Sequence, residues 1–365
     1  MQHIIPFVIG ILIFGLIILV HEWGHFIAAR KAGILVEEFA VGMGPRLFAT
    51  QPGETLYTIR MLPLGGYCKM LGADEANEDK RAFGNKRIWQ RICVIVAGSL
   101  MNFTLTFIIF ILMAIASGFP TTSINALIPE GPAAQAGLAQ GDRIVRVNGE
   151  RINIHEDVVA ALTSMPEGQD IAEVEFMRGG ATYVAMVNTV IHNGRRIIGT
   201  MPEVRLGMFA EAQEGYSRTN FIEATSRGGF ETAFLMRHTL SMIGQLVTGN
   251  ASADMLTGPI GIFGIIDTMF QNTVENAQEQ PAIQTLGQLV VSNAMLAAII
   301  SASIGIFNLI PFPALDGGRL VFLLLEALRR KPIKPEVEGT VHFVGMIVMM
   351  ALAIYIAYRD VLGLI

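Results

Sequence analysis

Four long stretches of the 365-residue chain contain no Asp, Glu, Lys or Arg, and each is long enough to cross a lipid bilayer. About 20 helical residues span the roughly 30 Å of hydrocarbon. Only 16% of the residues are charged, whereas soluble domains carry about a quarter. The sequence therefore predicts a polytopic α-helical membrane protein with four transmembrane helices. The uncharged stretches are residues 1–21, 92–126, 281–314 and 340–358.

The first stretch is predicted to be a retained helix rather than a cleaved signal peptide. No Lys or Arg precedes its apolar run, and no small-residue cleavage site follows it. Instead the run leads directly into His21-Glu22-Trp23-Gly24-His25.

The distribution of basic residues predicts the orientation. Residues 30–91 contain ten Lys and Arg close to the ends of two spans, and residues 315–339 contain five more. Clusters of this kind stay on the cytoplasmic side of a membrane, whereas long translocated domains escape the rule. We therefore expect the middle segment and both termini to face outward. The formal net charge of −5 does not favour a nucleic-acid partner.

Two strands are predicted between the first two spans. Residues 36–50 and 56–70 alternate, and the Pro-Gly of residues 51–54 marks a turn between them. Residues 62–67 are too apolar for a solvated loop, so this β-hairpin is predicted to be membrane-associated.

A soluble β-rich domain is predicted for residues 121–205. A short helix near residue 135, a strand that ends in the Asn148-Gly149 turn, a helix over 155–164 and a second hairpin around 178–180 give it five or six strands and two helices. The helical pattern of residues 221–247 carries charges, which favours a helix lying at the membrane interface.

His21-Glu22-Trp23-Gly24-His25 matches the H-E-x-x-H pattern of zinc peptidases. Positions i and i+4 share a helix face, so both imidazoles can bind one Zn²⁺, and Glu22 can act as general base. The alternative is that these are ordinary residues at a membrane boundary. That alternative explains one ionisable side chain, but not three at ligand spacing at the end of an uncharged helix.

A third zinc ligand is expected, and Asp316 is the strongest candidate. Pro311 and Pro313 must end the third span just before it, and broken backbone at membrane depth is tolerated where it lines a water-filled cavity. The alternative role for Asp316 is a cap of the next helix. Cys68 and Cys93 have no metal-ligand spacing and are interpreted as small apolar residues.

Together, the H-E-x-x-H pattern of the first span and the N-x-x-P-x-P-x-L-D-G-G pattern of residues 308–318 resemble the site-2 protease family of intramembrane zinc metalloproteases, in its bacterial regulator-of-sigma-factor (RseP-type) branch. The resemblance covers nearly the whole chain. It implies that His21, His25 and Asp316 are zinc ligands, that Glu22 is catalytic and that Asn308 binds substrate. Residues 97–103 resemble the small-residue motif of the second span, with a serine at position 99 where a proline would follow the glycine.

The resemblance also implies an activity and its partners: cleavage of single-span membrane proteins such as pre-trimmed anti-sigma factors and signal-peptide remnants, with one zinc per chain and an upstream site-1 protease. The location implied is the bacterial inner membrane, with the active site near the cytoplasmic side and a PDZ-like domain outside.

The predicted division is a first transmembrane helix in 1–30, a loop with the hairpin in 31–87, a second transmembrane helix in 88–118, one PDZ-like domain in 121–205, an interfacial helical segment in 206–280, a third transmembrane helix in 281–318, and a cytoplasmic loop with the fourth helix in 319–365.

Two roles stay open at this point. The hairpin offers a strand edge on which an unwound substrate could pair, or it is a structural membrane anchor. The PDZ-like domain is either a size filter, which its short linker at residues 118–120 favours, or a receptor for a newly cut peptide end.

Two other classes of protein fit the sequence less well. A non-enzymatic membrane scaffold would not need all four of His21, Glu22, His25 and Asp316. A metal transporter would be expected to carry charged residues in its second and fourth spans, whereas residues 92–126 and 340–358 contain no Asp, Glu, Lys or Arg.

Overall fold

The computed structural model describes residues 3–73, 75–166, 168–210, 216–249, 258–276, 281–333 and 335–362. Four of its helices are long and apolar enough to cross a membrane, which confirms the predicted class of fold. The spans are Ile4–Lys31, Ile88–Ser117, Ala282–Leu309 and Val337–Asp360. The chain divides into two compact units, one formed by residues 1–106 with 235–365 and the other by residues 107–234.

The first unit contains most of the helices and one small sheet. Its elements are α1 (Ile4–Lys31), β1 (Val36–Thr50), β2 (Leu56–Met70), a 3₁₀ turn (Phe83–Asn85), the first part of α2 (Ile88–Ser117), and, further along the chain, α6 (Pro259–Asn276), α7 (Ala282–Leu309), α8 (Asp316–Arg329) and α9 (Pro335–Leu362). The strand and turn limits agree with those predicted from the alternating pattern and the Pro-Gly turn.

Small residues let α1, α2 and α7 approach closely. Gly24 of α1 faces the carbonyl of Ala97 so tightly that a Cβ there would collide with it. The Ser301 hydroxyl of α7 donates a hydrogen bond to the carbonyl of Asn102 on α2 at 2.9 Å. Glycines at helix contacts and hydroxyl-to-carbonyl bonds are the usual means by which helices associate in lipid.

In the sheet of β1 and β2, parts of each strand pair with two different parts of the other strand. Phe39 pairs with both Cys68 and Tyr57, so the first half of β1 lies between the two halves of β2. The second half of β1 pairs with the first half of β2, as at Phe48 and Ile59. The hairpin is therefore folded into four rows, in the order 66–70, 36–41, 56–59 and 48–50.

A buried ionic cluster fastens these rows together. The carboxylate of Glu38 accepts hydrogen bonds from Arg60 Nη2 at 2.7 Å and Thr58 Oγ1 at 2.8 Å, and Arg60 also bonds to the Tyr67 hydroxyl. Burial acts to raise the pKa of Glu38, but hydrogen bonds from Arg60, Thr58 and Tyr67 outweigh it and lower that pKa to about 2. The sheet therefore contains an ionised glutamate whose partners come from rows that are far apart in sequence.

The third span ends in a broken segment, as its prolines predict. Helix α7 stops at Leu309, and α8 begins at Asp316 after a turn in which Ala314 has a φ of 78°. The Ala314 N–H donates to Nδ1 of His342 on α9 at 2.9 Å, so the fourth span supports this turn. Gly345 of α9 packs against Pro313 where a Cβ would not fit.

The second unit contains the inserted β-rich domain. A sheet of six strands has the order β10-β3-β4-β6-β7, with β5 paired to β4, and the short strands β8 and β9 form a hairpin. Its hydrophobic core includes Val147, Val174 and Val187, all fully buried. The elements are the end of α2, β3 (Phe119–Leu127), α3 (Pro132–Gln135), β4 (Arg143–Val147), β5 (Glu150–Arg151), α4 (His155–Thr163), β6 (Ile171–Arg178), β7 (Ala181–Asn188), β8 (Val190–His192), β9 (Arg195–Ile197), β10 (Thr200–Arg205) and the first part of α5 (Phe221–Val247).

Helix α5 is not among the four candidate spans, in line with its predicted amphipathic character. Within the second unit, buried Arg227 of α5 pairs with Glu156 of α4 at 2.6 Å and with Glu231 one turn further along. The Arg227 guanidinium also lies over the Phe119 ring, 5.2 Å from the ring centre.

Candidate metal centre

Two histidines of α1 face the same point inside the first unit. His21 and His25 lie one helical turn apart, and both side chains are buried, with 7% and 6% of their surfaces exposed. Their Nε2 atoms are 3.2 Å apart. The intervening Trp23 points away and is exposed. The helical spacing thus brings the two imidazoles together, as the H-E-x-x-H pattern predicts.

The orientation of His25 is fixed by α2. Its Nδ1–H donates to the carbonyl of Val94 at 2.8 Å. A hydrogen on Nδ1 leaves the Nε2 lone pair of a neutral ring free to bind a cation. The second span therefore sets both the direction and the tautomer of this ring.

Asp316 completes the cluster, although it lies 291 residues after His25 in the sequence. Its Oδ2 lies 3.1 Å from Nε2 of His21 and 3.2 Å from Nε2 of His25. Asp316 is the first residue of α8, and the following Gly317 packs against the backbone of Leu309 and Ile310, where no side chain would fit. The break in the third span thus turns the carboxylate back toward α1.

The three donor atoms fit a zinc ion. Tetrahedral zinc with ligands at about 2.0–2.2 Å places neighbouring donor atoms about 3.3 Å apart. The atoms of His21, His25 and Asp316 are separated by 3.1–3.2 Å. Within the described residues, this is the one group of three or more such side chains able to share an ion.

Gly98 of α2 forms the wall behind the two imidazoles. A Cβ at this position would lie 2.7 Å from Cε1 and 2.8 Å from Nε2 of His21, and it would also collide with Nε2 of His25. Only glycine therefore fits without moving a ring away from the shared point.

Glu22 lies beside this cluster, facing the hairpin sheet. A Cβ built on Gly66 of β2 would be 3.6 Å from Cγ of Glu22, so this side chain packs against the hairpin sheet. A carboxylate next to a candidate metal site is a group that can act as a general base.

Asn308, predicted to bind substrate, lies on the last turn of α7. Its side-chain amide donates to the Ile304 carbonyl of the same helix at 3.0 Å, and its surface is half-buried. The structure brings His21, His25 and Asp316 into direct contact and Glu22 beside them, whereas Asn308 bonds to its own helix.

Sequence reasoning missed the groups that support the cluster. The Val94 carbonyl and the His342 ring both orient it, yet neither has any spacing relation to the histidine pair. His342 lies 28 residues after Ala314, and no signal in the sequence links the two.

A membrane protein with a buried H-E-x-x-H pair and a converging aspartate belongs to the class of intramembrane metallopeptidases. The chain belongs to peptidase family M50, whose family model matches residues 9–352. It is accordingly a zinc metalloprotease of the site-2 type, as the sequence resemblance predicted.

Three similar proteins align with this chain over nearly its full length. The zinc metalloprotease RasP of Bacillus licheniformis is 31% identical, covering 96% of this chain and 97% of that protein. The regulator of sigma-W protease RasP of Bacillus subtilis is 30% identical, with the same coverage of 96% and 97%. A putative zinc metalloprotease of Clostridium perfringens is 33% identical, covering 97% and 98%.

Among solved structures, the PDZ domain of an SdrC-like protein from Listeria innocua is 20% identical, covers 23% of this chain and 92% of its own, and has a TM-score of 0.20. The corresponding domain from Listeria monocytogenes is also 20% identical, covers 24% and 87%, and has a TM-score of 0.19.

Proposed function

We propose that this metalloprotease cleaves single-span membrane proteins, with one zinc ion held by His21, His25 and Asp316 and with Glu22 as general base. The observation that carries the proposal is the convergence of three ligand atoms to 3.1–3.2 Å beside a glutamate, inside a protein of four apolar helices. The identity of the donors, two imidazoles and one carboxylate, is typical of catalytic zinc sites with a position left for water.

The chemistry divides between the ion and the chain. Zinc, when bound, supplies the Lewis acid that polarises the scissile carbonyl. Glu22 takes a proton from the attacking water and passes it to the leaving amine. Burial of His21 and His25 keeps bulk water away from the imidazoles and holds their Nε2 atoms in position.

The direct test of this assignment is Glu22→Gln. We expect the variant to retain zinc but to lose cleavage of a single-span substrate, because an amide cannot accept the proton. Glu54→Gln, at an exposed glutamate of the strand connection, is the control and should cleave normally. Appreciable turnover by purified Glu22→Gln protein would refute the role of Glu22.

We also propose that the substrate unwinds and pairs with the outer row of the hairpin sheet. A transmembrane helix hides its peptide bonds in its own hydrogen bonds, so it must become extended to be cut. Residues 66–70 form the outermost row beside Glu22, and an extended peptide added there would gain backbone hydrogen bonds by β-augmentation. A purely structural anchor is the competing role.

Cross-linking separates these two roles. In a protein whose native cysteines are replaced, Lys69→Cys on the outermost row should form a disulfide with a cysteine near the scissile bond of the substrate. Ala49→Cys on the opposite row is the matched control and should not. Equal cross-linking at both positions would favour the anchor.

The proposed setting is the bacterial inner membrane, with the active site toward the cytoplasm and substrates such as pre-trimmed anti-sigma factors and signal-peptide remnants released by a site-1 protease. The clusters of basic residues at the ends of the spans support this orientation. Cysteines placed near Gly149 and Gly179 should react with an impermeant reagent from outside the cell, whereas cysteines near Lys86 and Lys331 should not. The reverse labelling would overturn the orientation.

The inserted domain, residues 121–205, is proposed to act as a PDZ-like size filter that excludes substrates with an intact outer domain. It has its own hydrophobic core, separate from the cluster of ligand atoms, which supports a role in selection rather than chemistry. Deleting it should leave cleavage of short peptides intact and add cleavage of untrimmed substrates. Slower cleavage with no gain on untrimmed substrates would favour a receptor for the cut peptide end.

A further inference from the structure

A buried amide next to His21 has no role in the chemistry described so far. Asn102 of α2 is fully buried, with 0% of its surface exposed. Its Nδ2 lies 3.4 Å from Nδ1 of His21, while its Oδ1 has no hydrogen-bond partner. An unsatisfied buried carbonyl costs free energy, so the amide is expected to serve a purpose there.

The purpose of the amide follows from which nitrogen of His21 carries the ring hydrogen. Its Nε2 faces Asp316 and His25, so this nitrogen must be free of hydrogen to bind a metal. The hydrogen of the neutral ring is then on Nδ1, which needs an acceptor. An amide nitrogen cannot accept a hydrogen bond, but an amide oxygen can, and a half-turn about the Asn102 Cβ–Cγ bond exchanges the two atoms.

We infer that Asn102 is a positioning residue, whose side-chain oxygen accepts the Nδ1 hydrogen of His21 and so holds Nε2 bare and aimed at the metal. The inference rests on the proposed zinc site. Both histidines of α1 would then donate their Nδ1 hydrogen to an acceptor on α2, since His25 already donates its own to the Val94 carbonyl.

The backbone of Asn102 is held firmly enough for this task. Its carbonyl accepts hydrogen bonds from Ser301 Oγ at 2.9 Å and from Thr106 Oγ1 at 3.0 Å. Thr106 Oγ1 also lies 3.2 Å from the Ala298 carbonyl of α7, so α2 and α7 are joined at this level. The amide is therefore presented to His21 from a fixed point between two spans.

The test compares two substitutions of nearly the same size. Asn102→Leu removes the acceptor, whereas Asn102→Asp keeps an oxygen acceptor and removes the donor. The measurement is the zinc dissociation constant of purified full-length protein, obtained by competition with a chelator. Loss of a group that orients a metal ligand weakens metal binding by about 10- to 100-fold. We expect that loss for Asn102→Leu and a change below about threefold for Asn102→Asp.

Thr232→Val is the matched control, because it removes a buried hydroxyl-to-carbonyl hydrogen bond from another helix, α5, and not one that involves Asn102. It should leave zinc affinity unchanged. An equal loss of zinc in Thr232→Val and Asn102→Leu would show that loss of any buried hydrogen bond is responsible and would overturn the inference. Unchanged affinity in Asn102→Leu would also overturn it.

The outcome stays decisive when Asn102→Leu does not fold. Folded Asn102→Asp protein that binds zinc ten times more weakly than the wild type would contradict an acceptor role, and retained affinity would support it. Failure of the zinc site itself is distinguishable, because the wild-type protein would then bind no zinc and no variant could alter its affinity.

Discussion

Substitution of Gly98 by alanine should displace the zinc ligands without removing any of them. The added Cβ would lie 2.7 and 2.8 Å from Cε1 and Nε2 of His21. Non-bonded heavy atoms normally pack at about 3.5–4.0 Å. The imidazole must therefore retreat by about 0.7 Å or more, unless α2 moves instead. Metal–ligand distances tolerate only about 0.2 Å.

A misplacement of about 1 Å in a catalytic site can cost about 100-fold in rate. We therefore expect Gly98→Ala to weaken zinc binding at least tenfold, and to lower cleavage of a single-span reporter about 100-fold. Both are measured on purified protein, by chelator competition and by the rate of product formation with zinc in excess.

The control for this experiment is Gly287→Ala on α7, a glycine of another span where an added Cβ meets nothing within 4 Å. Alanine favours a helix interior over glycine by about 0.5–1 kcal/mol, so the control should be at least as stable as the wild type. Wild-type zinc affinity and activity in Gly98→Ala would refute the close contact between α2 and the two imidazoles.

Three further outcomes follow from the same structure. Asp316→Ala should lose zinc, whereas Asn308→Ala should keep zinc and lower cleavage; unchanged metal content in Asp316→Ala would require another third ligand. Because the pKa of Glu38 is lowered to about 2, ionised Glu38 stabilises the fold fully above the ordinary value of 4.5, and this stabilisation is lost as pH falls from there toward 2. Glu38→Gln should therefore lower the free energy of unfolding by up to about 3 kcal/mol at pH 7. It should also flatten the acid dependence of the thermal unfolding temperature. His342→Leu, which removes the acceptor for the Ala314 N–H, should lower zinc affinity severalfold, and an unchanged dissociation constant would show that the turn before Asp316 needs no support from α9.

Much of the site could be predicted because its determinants are local. The spacing of His21 and His25 on one helix fixes their shared face, and two prolines fix the break that precedes Asp316. The limits of β1 and β2 were also predictable, since alternation and a Pro-Gly turn are properties of short segments. These features depend on residues close together in sequence.

Other features depend on tertiary packing and left no local signal. The uncharged second stretch runs on to Ala126, yet the helix ends at Ser117, close to the predicted limit of residue 118, because Gly118 with a φ of 77° leads into β3 at Phe119. Lack of charge does not distinguish an apolar helix from an apolar strand. The double pairing of the hairpin and the approach of Asn102 to His21 likewise arise only when distant segments pack together.

The ligand set of the metal provides the most direct test of the account. X-ray absorption at the zinc edge, on purified Glu22→Gln protein, should show about one zinc per chain with two imidazole nitrogens at about 2.0–2.1 Å and a carboxylate oxygen at about 2.0–2.2 Å. The same measurement on His21→Ala, His25→Ala or Asp316→Ala protein should show little or no zinc. A sulfur ligand at about 2.3 Å, or full zinc content in any of these three variants, would contradict the assignment of the site.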